Sequence, residues 1–142
     1  MDSTIIVSII SALAAITIAA ITYWSTKQRE REAEWRKEKL GHYKEYFAAL
    51  AANVGAHSTN ESSKNYAIAF NTVGLFASQE VIKCLHNYQD LTRLPADQVP
   101  REKHDKLLTE LVLAIRKDLK LKPKDNIESF KYMVIASSAR QT

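Results

Sequence analysis

The most prominent feature of the hydropathy pattern is an uninterrupted apolar run near the start of the chain. No charged residue occurs between Ile5 and Trp24. About twenty helical residues at about 1.5 Å each reach roughly 30 Å, the thickness of the hydrocarbon core of a bilayer. Tyr23 and Trp24 end the run, where aromatic residues gather at a membrane surface. The pattern therefore predicts a single-pass transmembrane anchor within residues 1–26.

The charges that flank this run predict its orientation. The residues before it contain Asp2 and no base, whereas a cleaved signal peptide, the main alternative, begins with basic residues. Every Lys and Arg lies at or after Lys27. Because cytoplasmic segments beside membrane helices are enriched in Lys and Arg, we expect the N-terminus outside and the C-terminal domain in the cytoplasm. The expected location is the inner (cytoplasmic) membrane.

The segment after the anchor carries dense charge of both signs. Residues 27–40 (KQREREAEWRKEKL) contain no proline or glycine, so the anchor is expected to continue as a charged juxtamembrane helix. Residues 41–142 show amphipathic spacing that predicts a cytoplasmic helical bundle with a C-terminal tail. Alternating patterns typical of strands are nearly absent. The expected fold class is therefore all-α, with about four helices in the bundle.

The spacing of apolar positions sets the expected helix boundaries. The first helix is predicted to end near Gly55, before a polar loop over residues 56–64. Residues 65–77 are apolar almost all round, which is typical of a helix buried between other helices. A third helix is predicted to run from an N-cap at Ser78 to about Thr92.

Proline marks the remaining boundaries. Pro100 occupies a position where a helix can begin, and regularly spaced leucines predict a fourth helix to about Leu119. Pro123 ends this region. Residues 124–142 fit either an extended tail or a short helix packed on the bundle.

Net charge and cysteine content limit the functions that the sequence allows. The region after the anchor is mildly basic, which suits an anionic membrane surface but is too weak to indicate nucleic acid binding. The single cysteine, Cys84, excludes an intrachain disulfide, which fits a reducing compartment. We expect Cys84 to be a small, buried core residue, because no neighbouring charges mark it as an activated thiol.

Small and hydroxyl side chains recur along one face of the predicted anchor. Small residues let two membrane helices approach closely, and hydroxyl groups can bond across the contact. The pattern indicates self-association or docking on another membrane helix, with ordinary membrane-helix composition as the alternative because no GxxxG motif is present. The stripe consists of Ser8, Ala12, Ala15, Ala19 and Thr22, with Ser11 alongside.

Polar groups with chemical capacity are scattered. His104 precedes Asp105, and Asp105 shares a face of the fourth helix with Arg116, about three turns away. The Asp105–Arg116 spacing fits an acid–base or anion-binding pair, or a structural ion pair with Asp105 near the positive helix end. The basic segment 116–124 could bind lipid headgroups or an anion such as a nucleotide, or could be solvated charge. No histidine has metal-ligand spacing and no phosphate-loop or nucleophile motif occurs, so no metal or cofactor is expected.

Three stretches within residues 35–121 carry a resemblance to known proteins: WRKEKLGHYKEYFAAL, FNTVGLFASQEVIKCLHNY and HDKLLTELVLAIRKDLKL. They resemble uncharacterised bacterial single-pass membrane proteins with a short helical cytoplasmic domain. The layout is also similar to that of some effectors of bacterial antiphage (antiviral) defence. The resemblance implies no established activity. It directs attention to six candidate positions for anion or partner binding: Asn71, His104, Asp105, Arg116, Lys117 and Asp118.

Two hypotheses of function follow, from different classes. The first is a membrane-anchored, non-enzymatic module that oligomerises or binds another membrane protein, helped by confinement to the bilayer. The alternative is a signal-gated effector that binds a small anionic ligand and perturbs the membrane. An enzyme ranks third, because catalysis needs several polar groups converging on a pocket.

Overall fold

The computed structural model describes residues 2–53, 58–95, 98–122, 126 and 128–133. This part of the chain is all-α, as predicted, and contains no strand. Two compact units divide the protein, Met1–Glu38 and Lys39–Thr142. The helices are α1 (Ser3–Asn53), α2 (Asn60–Phe76), α3 (Gln79–Thr92) and α4 (Arg101–Asp118).

The first unit consists of the N-terminal part of α1. Its residues 2–24 are all exposed, and none of the apolar window within this helix is buried against other parts of the chain. The helix is long and apolar enough to cross a membrane. The predicted continuation through the charged segment is confirmed, because α1 runs without a break to Asn53. Gly41 does not interrupt it, as expected for an isolated helical glycine.

The boundary of α2 differs from the prediction. This helix begins at Asn60 rather than near residue 65, so the expected polar loop was wrong over its last residues. A capping box explains the earlier start. The Ser62 backbone N–H donates to the Thr59 hydroxyl at 3.1 Å, and the Thr59 backbone N–H donates to the Ser62 hydroxyl at 2.8 Å. Residues 54–57, where α1 was expected to end, lie outside the described residues.

The predicted burial of α2 on all sides was also wrong. Its Tyr66 and Val73 side chains are buried, but Ile68 is 56% exposed and Leu75 is 87% exposed. Gly74 is open too, since a Cβ added there would meet no atom within 4 Å. Apolar composition indicates that exposure of a surface to water is unfavourable, but it does not indicate which molecule covers that surface.

The expected boundaries of α3 and α4 are confirmed. The Val81 backbone N–H donates to the Ser78 hydroxyl at 3.4 Å, which makes Ser78 the N-cap of α3. Pro100 precedes α4, and Leu119 caps its end. Lys120 then adopts a positive φ of 53°, and the reversal lets the Leu121 backbone N–H donate to the Arg116 carbonyl at 3.1 Å.

The core lies entirely in the second unit and draws on all four helices. Tyrosine is unusually prominent in it, and each of the four core tyrosines is nearly or fully enclosed. Cys84 packs half-buried against this core, and burial raises the pKa of its thiol, consistent with the expected structural role. The core cluster consists of Tyr43, Tyr46, Leu50, Tyr66, Val73, Val81, Leu85, Tyr88, Leu108, Leu111, Ala114, Ile115 and Leu119.

The described part of the C-terminal tail adopts no helix. The Tyr132 backbone N–H donates to the Thr109 hydroxyl at 3.1 Å, which joins the tail to α4. The Tyr132 ring also lies 5.9 Å from the Phe47 ring of α1. Of the two alternatives for the tail, an extended segment or a short helix, the helix is absent at residues 130–133, and residues 134–142 lie outside the described part.

The tyrosine core predicts loss of stability in alkali. Burial raises the pKa of Tyr43, Tyr46 and Tyr66, and raises that of Tyr88 from 10.0 to about 12. Because the folded state favours the neutral phenols, this stability is fully present below pH 10 and is lost as the pH rises further. Tyr88 alone should lose roughly 2 kcal/mol by pH 12. Urea unfolding across this range should show the fall, and a free energy of unfolding that is the same at pH 9 and pH 12 would contradict it.

Candidate functional site

The six candidate binding positions separate into different parts of the domain. His104 and Asp105 lie near the start of α4, whereas Arg116, Lys117 and Asp118 lie at its end. At about 1.5 Å per residue, the two groups are roughly 16 Å apart along the helix. Asn71 is exposed on α2. The structure therefore does not bring the candidates together into one site, and Asp105 and Arg116 do not form a pair.

Asp118 joins the end of α4 to α1. Its carboxylate accepts two hydrogen bonds from the Lys39 ammonium, at 3.0 and 3.2 Å, and one from the Tyr43 hydroxyl at 2.7 Å. The Lys39 and Asp118 side chains are only 12% and 8% exposed. Burial and this carboxylate together raise the pKa of Tyr43. Lys39 and Asp118 therefore form a nearly buried ion pair in which each charge has its partner, which is typical of a structural contact.

The other two residues at this end of α4 also have partners within the chain. The Lys117 ammonium lies 2.7 Å from the Glu80 carboxylate, in an exposed pair. The Arg116 guanidinium lies over the Phe130 ring, 5.4 Å from its centroid. An anion that binds at this end would have to compete with these contacts.

A chain of three polar side chains lies at the other end of α4. His104 Nε2 is 2.9 Å from the Tyr88 hydroxyl, and His104 Nδ1 is 3.5 Å from the Asp105 carboxylate. The Tyr88 hydroxyl and His104 Nε2 therefore share a hydrogen bond, and the Asp105 carboxylate lies on the other side of the ring. Burial holds the pKa of Tyr88 at about 12, which keeps this phenol neutral. These three side chains connect the buried phenol of Tyr88 to the partly exposed imidazole of His104.

His104 lies on the wall of a cavity of about 500 Å³. On this wall the Tyr66 hydroxyl donates to the Gln89 side-chain carbonyl. The cavity combines leucine and valine surface with several polar groups, as small-molecule sites commonly do. Its lining residues are Leu50, Asn53, Tyr66, Tyr88, Gln89, Leu91, Thr92, Leu94, Val99, Arg101 and His104.

Most of this cavity could not be found from the sequence. Only His104 was a candidate there, because it stands beside an acid in the α4 sequence. Tyr66 and Tyr88 have the spacing of ordinary core positions, and Gln89 and Arg101 have that of ordinary surface positions. Their convergence depends on contacts between α2, α3 and α4, for which no local signal exists.

The Tyr46 side chain lies at the centre of the core and is fully buried. Burial is the main cause of its raised pKa, and the neighbouring Tyr66 hydroxyl raises it further.

The remaining predictions concern metals and the anchor face. Among the described residues, no group of three His, Cys, Asp or Glu side chains lies close enough to hold a metal ion. The stripe from Ser8 to Thr22 is exposed along α1. The Ser8 hydroxyl donates to the Thr4 carbonyl at 2.8 Å, within its own helix. The role of this stripe as a contact surface stays a prediction.

The chain matches no protein-family model, no curated protein and no solved structure. The resemblance to bacterial single-pass membrane proteins stays a prediction.

Proposed function

We propose that the protein is a membrane-anchored, non-enzymatic interaction module that assembles with further copies of itself. In this proposal residues 5–24 span the inner membrane, with the N-terminus outside and the second unit in the cytoplasm. The observation that carries the proposal is the apolar surface that the protein itself leaves uncovered, on α1 and on α2.

The anchor is supported by the cost of leaving α1 in water. Large apolar side chains such as Ile10, Leu13 and Ile16 are each 60% exposed or more, and no charged residue interrupts the run from residue 5 to 24. Exposed apolar area costs about 25 cal/mol per Å², so an uncovered helix of this length is unfavourable in water. A bilayer removes this cost, and the bases that begin at Lys27 favour the cytoplasmic side for the second unit.

The interaction surface on the domain is supported by α2. Its outer face, defined by Ile68, Asn71 and Leu75, lies on one side of the helix and is exposed. The open Gly74 backbone beside it would let a partner helix approach closely. Confinement to a membrane raises the effective concentration of copies, so even this modest surface could support assembly.

In-membrane photo-crosslinking should detect the assembly. We expect benzoylphenylalanine at Asn71 to give a product at the mass of two or more copies, because this position lies on the outer face of α2. The same probe at Lys83, exposed on α3, is the matched control and should give little product. Equal yields from both positions, or a strict monomer in membranes, would contradict the proposal.

The anchor stripe provides a second arm for this experiment. Ala15→Leu with Ala19→Leu should reduce the crosslinked product several-fold, because larger side chains keep two helices apart. Ala14→Leu with Ala20→Leu makes the same chemical change on other faces of α1 and should have little effect. Equal loss from both pairs would count against pairing through the stripe.

A signal-gated effector of membrane defence is the second candidate function. The cavity beside His104 favours it, since a gated effector needs a place for its signal. Growth arrest on overexpression that requires residues 5–24 would support this candidate, and unaffected growth would count against it.

A further inference from the structure

The cavity beside the start of α4 has a basic residue on its wall. Among the residues that the structure describes, its lining includes Arg101 and His104, and no aspartate or glutamate. Asp105, the acid nearest to His104 in sequence, lies beside the Nδ1 atom and is not among these lining residues. The charge that the described lining offers is the Arg101 guanidinium, which favours a ligand of negative charge.

Two amides that line this cavity have their acceptor oxygens engaged by other side chains. The Asn53 side-chain carbonyl accepts from the Ser58 hydroxyl at 3.1 Å and from the Ser63 hydroxyl at 3.0 Å. The Gln89 side-chain carbonyl accepts from the Tyr66 hydroxyl. Each amide is left with its N–H groups to offer, and N–H groups are the donors that anions accept from.

The start of α4 adds to the same wall. Pro100, at the N-cap position, makes no side-chain capping hydrogen bond. The first backbone N–H groups of α4 carry the positive end of the helix dipole, which stabilises a nearby anion. Arg101, the first residue of α4, lines the cavity, so this helix end lies beside it.

The apolar part of the lining sets a second requirement. It consists of Leu50, Leu91, Leu94 and Val99. An inorganic anion would leave this surface in contact with water, whereas an aromatic or branched hydrocarbon group would cover it. The cavity volume of about 500 Å³ falls within the range of sites that hold small organic molecules.

From these observations we propose that the cavity binds a small organic anion with an apolar body, held at its charged end by Arg101, Asn53 and Gln89. This places ligand binding at the start of α4 rather than at the basic segment that follows its end. Binding depends only on the second unit and is independent of whether two anchors associate.

The proposal is tested on the full chain in detergent micelles by isothermal titration calorimetry, with protein-free micelles as the blank. The probes are 2-naphthoate, naphthalene-2-sulfonate and 2-naphthyl phosphate, with 2-naphthamide as the neutral isostere of the first. We expect at least one anion to bind roughly tenfold more tightly than the amide, the size of one charge-assisted hydrogen bond. No binding of any anion, or no anion that binds more tightly than the amide, would overturn the proposal.

Two substitutions locate the site. Arg101→Gln should weaken anion binding by roughly tenfold. It should leave the melting temperature of the protein unchanged, because Arg101 is exposed. Lys83→Gln is the control for loss of one positive charge, because Lys83 is exposed on α3 and does not line the cavity. Equal weakening by both variants would show attraction by net charge alone and would overturn the proposal. Val99→Trp should abolish binding by filling the cavity, and unchanged binding would place the anion elsewhere.

The calorimetric result does not depend on assembly. A chain that binds the anion as a micellar monomer but gives no crosslinked product would support this inference and overturn the proposed oligomerisation. The reverse result would overturn this inference and leave the proposed module in place.

Discussion

Asp118→Leu should lower the free energy of unfolding of the domain by about 3–5 kcal/mol, the cost of leaving one partner of a buried ion pair without the other. The substitution removes the acceptor for both the Lys39 ammonium and the Tyr43 hydroxyl. Lys39 is only 12% exposed, so water cannot fully replace the lost carboxylate. Chemical unfolding of the full chain in micelles, followed by circular dichroism, measures the change.

Two controls separate this effect from a general loss of charge. Lys117→Met breaks the neighbouring exposed pair with Glu80 and should cost less than about 1 kcal/mol, because exposed ion pairs contribute little. Lys39→Met combined with Asp118→Leu should recover part of the stability lost by Asp118→Leu alone, since it leaves no buried charge, while the Tyr43 hydroxyl still lacks its acceptor. If the double variant is as unstable as Asp118→Leu alone, the unpaired charge of Lys39 is not the cause of the lost stability.

The second large effect concerns the anchor. Leu13→Lys combined with Ile16→Lys should remove the protein from the membrane fraction. Each lysine at the centre of a membrane helix costs about 2.5–3.5 kcal/mol on insertion scales, so the pair adds roughly 5–7 kcal/mol. Extraction of membranes with alkaline carbonate, followed by flotation, measures the fraction that remains inserted.

The matched control for this pair adds the same charge outside the proposed span. Gln28→Lys with Ala33→Lys adds two bases to the charged part of α1 and should leave the membrane fraction unchanged. If the Leu13 and Ile16 lysine variant floats with membranes as the parent does, residues 5–24 do not form the anchor. If both double variants leave the membrane, the loss is caused by the added charge itself and not by the position of that charge within the membrane.

The features that the sequence predicted correctly are those with local causes. The N-cap at Ser78 and the start after Pro100 follow from the hydrogen-bonding capacity of single residues. The run of α1 through the charged segment follows from the absence of helix breakers. The earlier start of α2 also had a local signal, the capping box of Thr59 and Ser62, which is weaker in sequence than the usual form ending in Glu or Gln.

The other features that the sequence did not predict depend on distant partners. Asp118 was a candidate for anion binding, and only the approach of α1 shows that Lys39 and Tyr43 occupy its carboxylate. The Tyr88–His104 hydrogen bond joins α3 to α4 across a separation that no sequence pattern encodes.

The sequence by itself determined the all-α class, most helix ends and an apolar run long enough to cross a membrane. These properties follow from backbone hydrogen bonding, side-chain propensity and hydropathy, which act within a few residues. The tertiary structure alone decided which face of α2 is covered, which charges are paired and where a cavity forms. Those outcomes depend on which helices pack together, and packing joins residues whose distance along the chain carries no physical information about their distance in space.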